Sequence, residues 1–347
     1  MQQFAAKPLG QDATSRKHFG GDGQQKYGTT QYSQDSLIGI YHPFLFFRVT
    51  SWMQQTLYTF WKFTRPHTII GSTLSICALY AIAAVGTTFQ PALLLLSLVS
   101  ALGCNVYITG LNQWSDVEVD RINKPWLPIA AGLLSRAQAL RIVLICGTIA
   151  LATAAFFSVW FVGLIALIMA IGTAYSLPPL KFKRNHILAA ACISVVRGLL
   201  VNIGFYLHFH HELTGQWGLD ASIWPLAVFV FAFSLGIAWF KDIPDTKGDA
   251  EYQFGTLAVR SGRQRAFVAG VVVVVVAYLY VILAAWLGHL PAPIFYIVVH
   301  GLALLVFLFQ ARQLRVGDDL QVKHFYMFFW GLFFLEYLVY PLGFYLA

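Results

Sequence analysis

Nine apolar windows run through this sequence, each close to the length of about 20 residues that a helix needs to cross the hydrocarbon core of a bilayer. The chain is 58% hydrophobic and only 11% charged, whereas about a quarter of the residues in a soluble domain are charged. The sequence therefore predicts an all-α, polytopic membrane protein with a bundle of nine transmembrane helices. The predicted spans are 67–86, 91–110, 141–157, 159–177, 186–206, 222–240, 266–287, 293–311 and 325–346.

The basic residues provide an independent test, because Lys and Arg accumulate in the cytoplasmic loops of membrane proteins. All 23 Lys and Arg residues except Arg197 lie before the first span, or in or at the edge of the loops after the second, fourth, sixth and eighth spans. The loops on the opposite side contain none. This segregation predicts a cytoplasmic N-terminus. It also accounts for the net charge of +8 through topology, so we expect no nucleic-acid partner.

The N-terminal region differs in composition from the rest of the chain. Residues 1–44 are rich in Gln, Gly, Ser and Thr, which predicts a disordered polar tail. Residues 45–66 mix aromatic and polar positions, and we expect them to lie along the membrane interface before the first crossing. The remaining residues, 67–347, form the predicted nine-helix domain. The cysteines all lie in apolar windows without CxxC spacing, which is typical of buried thiols.

Acidic residues are scarce, and many of the 15 in the chain lie in two short segments after the second and sixth spans. The first segment carries an Asn and two Asp at intervals of four, and the second carries three Asp at intervals of three and four. Each set therefore shares one face of a helix. Because both segments follow even-numbered spans, we expect the two sets to face each other across one cavity. They are Asn112, Asp116 and Asp120, and Asp242, Asp245 and Asp249.

Such concentrated negative charge needs compensation, since an ionised group costs about 2.5–3.5 kcal/mol at mid-membrane. Mg²⁺ prefers oxygen ligands and typically bridges carboxylates to phosphate oxygens. Two facing acidic sets with basic residues beside them predict a magnesium and diphosphate site at the membrane surface. The alternative interpretation is a pair of charged, solvated loops. The flanking basic residues are Arg121, Lys124, Lys181, Lys183 and Lys241.

The acidic sets resemble the two aspartate-rich motifs of the UbiA superfamily of intramembrane prenyltransferases. Within it, three segments are most similar to the homogentisate prenyltransferases: FWKFTRPHTIIG before the first span, NQWSDVEVDRINKPWLPIAAG after the second and KDIPDTKGDAEYQFGTLAVRSG after the sixth. The resemblance covers residues 55–347. Related benzoate and chlorophyllide enzymes often carry Asn-Asp where this chain has Asn112-Gln113.

This resemblance implies an enzyme in which Mg²⁺ draws diphosphate away from an allylic prenyl donor and an electron-rich ring attacks the resulting carbocation-like carbon. With phytyl diphosphate and homogentisate, which also loses CO₂, the product would be 2-methyl-6-phytylbenzoquinol, a precursor of tocopherol (vitamin E). Geranylgeranyl or solanesyl transfer, or prenylation of 4-hydroxybenzoate or chlorophyllide, stay open as alternatives. A transporter is the alternative from another class, but it should place paired, broken helices around mid-membrane polar residues.

The resemblance also implies roles for individual residues. The first acidic set would hold one Mg²⁺, and Asp245 and Asp249 a second. Asp242 would only support them, because Pro244 is predicted to start or bend the local helix. The aspartates expected to be catalytic through the metal are Asp116, Asp120, Asp245 and Asp249.

Cations and an aromatic residue complete the predicted site. Arg65 lies in a segment that resembles the region near the aromatic acceptor, so Arg65 or His67 could meet the homogentisate carboxylate, with interfacial anchoring as the alternative. Tyr175 could face the allylic cation, which favours aromatic faces. The predicted diphosphate ligands are Arg121, Lys124 and Lys181, with Lys183 behind them.

Three further features carry no predicted catalytic role. Arg197 and Glu336 are charges within the fifth and ninth spans, where ionisable groups usually find a partner, and they could pair with each other. His208, His210 and His211 lie at the end opposite the aspartates, so we expect a structural or interfacial role. No obligate protein partner is evident from the sequence. The short N-terminal tail without a clear transit signature favours a cyanobacterial membrane, with a plastid envelope as the alternative.

Overall fold

The structure, a computed structural model, describes residues 53–347. In this part of the chain, nine helices are long and apolar enough to cross a membrane. This confirms the predicted all-α bundle with nine spans. The predicted tail, residues 1–44, and the first residues of the predicted interfacial segment lie outside the described part.

The helices are numbered along the described chain. They are α1 (53–63), α2 (Pro66–Ala83), α3 (Pro91–Ser115), α4 (Val117–Asn123), α5 (Arg136–Ala155), α6 (Val159–Ser176), α7 (His186–Ser194), α8 (Asn202–Thr214), α9 (Ile223–Glu251), α10 (Leu257–Ser261), α11 (Arg263–Trp286), α12 (Pro293–Gln313), α13 (Asp319–Val339) and α14 (Leu342–Tyr345). The fifth span combines α7, a π-helical stretch Val195–Val201 and α8, and the ninth combines α13 and α14.

Two helices extend beyond their predicted windows into the acidic segments. α3 ends at Ser115 rather than 110, and α9 continues to Glu251 rather than 240. A hydropathy window marks only the apolar part of a helix, whereas the helix itself continues where its polar side chains find buried partners. Pro244 lies inside α9, so a helix start at this residue is wrong, whereas a bend within the helix stays a prediction.

Helix α9 is the central helix of the bundle. In its most apolar 18-residue window, 67% of the residues are buried, a larger share than in the corresponding windows of the other eight described spans. Phe229, Phe233 and Phe240 on this helix are fully buried, and Phe233 stacks on Phe329 of α13 at 4.0 Å. Packing on several sides fixes α9, so its end with the second acidic set is held on a rigid support. We call this end of the bundle the motif side.

The fifth span contains a π-helical turn at Val195–Val201, a feature often found at functional sites. Asn202 donates from Nδ2 to the carbonyl oxygens of Arg197 at 2.7 Å and Gly198 at 2.9 Å. A Cβ on Gly198 would lie only 2.5 Å from Phe231 Cα. The missing side chain therefore lets the π-helical turn pack directly on α9.

Candidate active site

The first acidic set lies where α3 breaks into α4. Asp116 occupies the break, with φ −112° and ψ 18°, so the single continuous helix assumed for this set is interrupted. Asn112 still donates from Nδ2 to Asp116 Oδ2 at 3.3 Å, and the backbone N–H of Asp120 donates to the Asp116 carbonyl at 2.8 Å. Asp116 and Asp120 are both buried. The break therefore keeps the set together while turning its carboxylates inward.

The second acidic set lies on the continuous helix α9. Asp242, Asp245 and Asp249 are all buried, although they occupy the end of a membrane span. Lys241 pairs with Asp242 at 3.3 Å and donates to the Tyr175 hydroxyl at 3.4 Å. Tyr175 is thereby linked to the second acidic set through a lysine.

Asn123 and Lys124, which follow the first acidic set, bridge to the second acidic set. Asn123 donates from Nδ2 to Asp249 Oδ1 at 3.2 Å and accepts from the Gly248 N–H at 2.9 Å. Its neighbour Lys124 forms an ion pair with Asp245. The predicted facing of the two sets is therefore present in the structure. Sequence reasoning assigned no role to Asn123, although its place three residues after Asp120 puts it beside that residue on one helix face.

A loop after α6 brings two further lysines to the first set. Lys183 is buried and lies 2.7 Å from Asp116 Oδ1 and 2.6 Å from Ser115 Oγ. Lys181 lies 4.0 Å from the same Asp116 oxygen and over the Phe254 ring at 5.4 Å. Its backbone is left-handed, with φ 39°. This conformation is strained for a non-glycine residue, and strained residues cluster at functional sites.

The loop of lysines is held against the loop that follows α9. The Gly255 N–H donates to the Arg184 carbonyl at 2.9 Å, and Asn185 and Gly255 form a parallel bridge. Gln253 in the second loop is also left-handed, with φ 57°. Backbone contacts thus fix Lys181 and Lys183 relative to the second acidic set.

The remaining predicted cations are placed differently. Arg121 pairs with Glu118 at 2.6 Å, and both side chains are more than half exposed; the structure does not bring Arg121 into the lysine cluster. Arg65 precedes α2 with a left-handed backbone, φ 55°, and its Nε is buried without a hydrogen-bond partner. His67 packs edge-on against Trp330 at 4.9 Å.

Burial changes the pKa of two groups outside the spans. It raises the pKa of Asp120 to about 6, an effect that Arg65 and Lys124 partly oppose. Burial also lowers the pKa of Lys183 to about 8, against the opposite effect of the Asp116 carboxylate. Both shifts have the direction expected when low-dielectric surroundings disfavour a charged group. A counter-charge close to either group would therefore stabilise its charged form.

The residues present suit a hard divalent cation. Asp120 Oδ2 is buried without a hydrogen-bond partner, and buried charged or polar atoms are normally satisfied. The other candidate ligands are carboxylate and amide oxygens, which Mg²⁺ prefers. Within residues 53–347, no three His, Cys, Asp or Glu side chains converge as a ready metal cage; lysine and asparagine side chains contact Asp116, Asp245 and Asp249 instead.

A cavity opens into the bundle beside the acidic sets. Its volume is about 1370 Å³, which includes the solvent space at its opening. At the motif side Asn112, Tyr175 and Lys241 line it, together with Arg65. Farther in, its walls are mainly apolar side chains. They include Ile76, Ile165, Ile168, Val201, Phe205 and Phe333.

The intramembrane charges do not pair as suggested by the sequence. Glu336 contacts His300 at 3.1 Å instead, and both residues are buried. Arg197 lines the cavity and lies over the Trp330 ring at 4.6 Å. A hydropathy pattern shows that such charges are buried but not which neighbour each one meets.

The histidine cluster has the structural character expected. His208 is buried, bonds to Ser97 Oγ at 3.0 Å and stacks on Phe161 at 3.7 Å. His211 stacks on Trp217 at 4.2 Å. These contacts support a structural role for His208 and His211.

Buried acidic sets, lysines beside them and an apolar cavity within a nine-helix bundle of the described residues define a class of protein. It is an integral membrane enzyme. The chain belongs to the UbiA prenyltransferase family, whose model matches residues 43–332. This confirms the family predicted from the two aspartate-rich segments.

Curated relatives cover most of the chain. Homogentisate phytyltransferase of Synechocystis sp. is 41% identical over 295 residues, 83% of this chain and 96% of the relative. Homogentisate phytyltransferase 1 of Arabidopsis thaliana is 36% identical over 304 residues, 83% of this chain and 76% of the relative. Homogentisate geranylgeranyltransferase of Triticum aestivum is 34% identical over 308 residues, 85% of this chain and 75% of the relative.

Solved structures share the fold. A UbiA homologue from Aeropyrum pernix matches with a TM-score of 0.63 at 19% identity, over 81% of this chain and 98% of the other. A homologue from Archaeoglobus fulgidus, bound to DMAPP and Mg²⁺, matches with a TM-score of 0.56 at 18% identity, over 82% and 99%. These likenesses confirm the fold class.

Proposed function

We propose that this protein transfers the phytyl group of phytyl diphosphate to homogentisate with loss of CO₂, forming 2-methyl-6-phytylbenzoquinol, a tocopherol precursor. The observation that carries the proposal is that one cavity connects apolar walls deep in the bundle with Asn112 of the first acidic set and with Lys241, which pairs with Asp242 of the second. A charged head group can lie among these polar residues while its chain lies in the apolar part. The names of the homogentisate phytyltransferase relatives support the choice of donor and acceptor.

The lysines bind the diphosphate in this proposal. Lys124 pairs with Asp245 and Lys183 with Asp116, and Lys181 lies 4.0 Å from the same Asp116 oxygen. Three ammonium groups therefore lie against the two acidic sets. Their positive charge stabilises the negative charge of a departing diphosphate more strongly in a water-excluded site than in water. Arg121, paired with Glu118, would have to leave that partner to join them.

The acidic sets would hold two Mg²⁺ ions. When bound, these ions neutralise charge on the diphosphate and so make it a better leaving group. The unpartnered Asp120 Oδ2 supports this assignment. Asn112, Asp116 and Asp120 would hold one ion, and Asp245 and Asp249 the other, with Asp242 in support.

Other residues of the cavity wall would position the acceptor and stabilise the allylic cation. Tyr175 presents an aromatic ring to the cavity near Lys241, where it can stabilise an allylic cation. Arg65 and His67 line the same cavity and would orient homogentisate. The reaction balances within the substrates: the ring hydrogen displaced by the phytyl group is matched by the hydrogen that the new methyl group gains as CO₂ leaves.

The chain is also proposed to have a fixed membrane orientation. The distribution of Lys and Arg among the loops supports a cytoplasmic motif side and N-terminus. Leu57, Tyr58 and Trp61 of α1 are exposed, which supports an interfacial position for this helix. The Synechocystis relative favours a cyanobacterial membrane.

Product analysis tests the function. Purified protein in detergent is incubated with homogentisate and Mg²⁺ and, in separate tubes, phytyl, geranylgeranyl or solanesyl diphosphate. We expect 2-methyl-6-phytylbenzoquinol as the main product at equal donor concentrations. A preference for another donor would overturn the phytyl assignment, whereas prenylation of 4-hydroxybenzoate or chlorophyllide in place of homogentisate would overturn the acceptor.

A further inference from the structure

Arg197 is a positively charged residue in the middle of the fifth membrane span. It lies 11 residues after His186, the first residue of that span, which corresponds to a depth of roughly 16 Å along a helix. Its carbonyl accepts from Asn202 Nδ2 at 2.7 Å, and Tyr337 donates to Asn202 Oδ1 at 2.9 Å. The backbone at Arg197 is therefore fixed by a neighbouring span.

The guanidinium of Arg197 faces aromatic rings rather than an acid. Its Cζ lies 4.6 Å from the Trp330 centroid and 5.8 Å from the Phe333 centroid. Nη1 is buried without a hydrogen-bond partner, and Arg197 forms no ion pair with any acidic residue in the described range 53–347. Arg197 as a whole is partly buried and lines the cavity. A guanidinium at this depth without a counter-charge is costly unless a ligand supplies one.

Arg65, the other arginine of the cavity, has a nearby acid. Its charge acts on Asp120, whose pKa it lowers against the opposing effect of burial. Arg197 has no such partner, although it lines the same cavity. The cavity thus presents one arginine whose charge is partly matched within the protein and a second whose charge is not.

We propose that Arg197 binds the carboxylate of the aromatic acceptor inside the membrane cavity and thereby selects aromatic acids. The inference rests on the proposed function, because it takes the acceptor to be homogentisate. His67 and Arg197 both contact Trp330, at 4.9 and 4.6 Å. The aromatic ring of Trp330 and the guanidinium of Arg197, which can bind an anion, therefore lie side by side. Arginine suits a carboxylate because its planar donors can bind both oxygens.

The diphosphate is a poorer match for Arg197. Lys124, Lys181 and Lys183 already converge beside the acidic sets at the motif side. Arg197 lies instead among aromatic side chains, which suit a hydroxylated ring. A carboxylate held there would leave the ring between Arg197 and the site where the prenyl diphosphate is cleaved.

Equilibrium binding separates recognition of the carboxylate from a structural role. Wild type, Arg197→Gln and Arg197→Lys are titrated with homogentisate and with its neutral amide, in the presence of Mg²⁺ and the unreactive donor analogue phytyl thiolodiphosphate. We expect Arg197→Gln to bind homogentisate roughly 10- to 100-fold more weakly, as for loss of a hydrogen-bonded charge, with the amide unchanged. Arg197→Lys keeps the charge and should recover part of this loss.

The control is Arg141→Gln, which removes a positive charge from an exposed position on α5 and should leave both affinities unchanged. Equal losses for the acid and the amide, or no loss for either, would overturn the role of Arg197. If Arg197→Gln fails to fold, Arg197→Lys decides: a weaker affinity for homogentisate with the amide unchanged would support the role, and equal losses for both ligands would overturn it. A parallel titration with 4-hydroxybenzoate distinguishes the two proposals. If wild type binds this acid but not homogentisate, the proposed function fails, while dependence on Arg197 would still support carboxylate binding.

Discussion

Asn123 and Asp249 are joined by a hydrogen bond of 3.2 Å between Nδ2 and Oδ1, across 126 positions of the sequence. The same amide accepts from the Gly248 N–H at 2.9 Å. One side chain thus spans the interval between the two acidic sets and fixes a carboxylate of the second. We expect the spacing of the proposed metal ligands to depend on this bridge.

Removal of the bridge should impair catalysis more than folding. Asn123→Ala deletes a hydrogen bond to a carboxylate, worth about 1.5–3 kcal/mol, so we expect kcat/KM to fall by roughly tenfold or more. The Mg²⁺ concentration for half-maximal activity should rise as well. A variant with wild-type kcat/KM and wild-type Mg²⁺ dependence would show that the bridge has no part in the site.

Gly248 leaves room for the Asn123 side chain. A Cβ at position 248 would lie 2.6 Å from Asn123 Oδ1, so Gly248→Ala should displace the amide and reduce activity as Asn123→Ala does. Gly301→Ala is the matched control, because its Cβ would meet no atom within 4 Å and alanine favours a helix. Equal activities of the two alanine variants would refute the steric explanation.

The pH profile should be bell-shaped. The pKa of Asp120 is raised to about 6 by burial, so its carboxylate is progressively protonated, and lost as a metal ligand, as the pH falls through that value. The pKa of Lys183 is lowered to about 8, so its ammonium loses its charge as the pH rises through that value. We expect kcat/KM for phytyl diphosphate to be highest near pH 7.

A conservative variant tests the assignment of the alkaline limb. Lys183→Arg keeps its charge throughout this range, so its alkaline limb should move to higher pH while its acid limb stays in place. An unchanged alkaline limb in the variant would assign it to another group.

The buried pair of His300 and Glu336, at 3.1 Å, should contribute to stability rather than to catalysis. Glu336→Ala leaves a buried histidine without its partner, which is strongly destabilising, so thermal unfolding in detergent should occur at a lower temperature. The double variant His300→Leu and Glu336→Leu should recover part of the loss, since it leaves no unpaired polar group. A single variant as stable as wild type would contradict this role.

The spans and the facing of the acidic sets could be predicted because both follow from simple periodicities. Hydropathy locates apolar helices, and an even number of crossings returns Asp116 and Asp249 to the same side. The continuation of α9 through Pro244 could not be predicted, because it depends on partners such as Lys124 and Asn123 that stabilise the polar end of the helix. The break at Asp116 depends in the same way on tertiary contacts, including those with Lys183.

The contacts of the charged residues within the membrane spans could not be predicted from the sequence either. Arg197 and Glu336 are the obvious pair by charge, yet Glu336 contacts His300 and Arg197 contacts Trp330. Which residues meet is set by helix rotation and by the π-helical turn at Val195–Val201. A pattern with a period of 3.6 residues specifies neither.

The most direct test of the central claim follows the carbon dioxide and the phytyl group in one reaction. Purified protein is supplied with homogentisate labelled in its carboxyl carbon, Mg²⁺ and phytyl diphosphate, and labelled CO₂ and 2-methyl-6-phytylbenzoquinol are measured together. We predict that the two appear in equal amounts, that both require Mg²⁺ and that Asp249→Ala forms neither. Failure to form the quinol, or its formation at the wild-type rate by Asp249→Ala, would contradict the account.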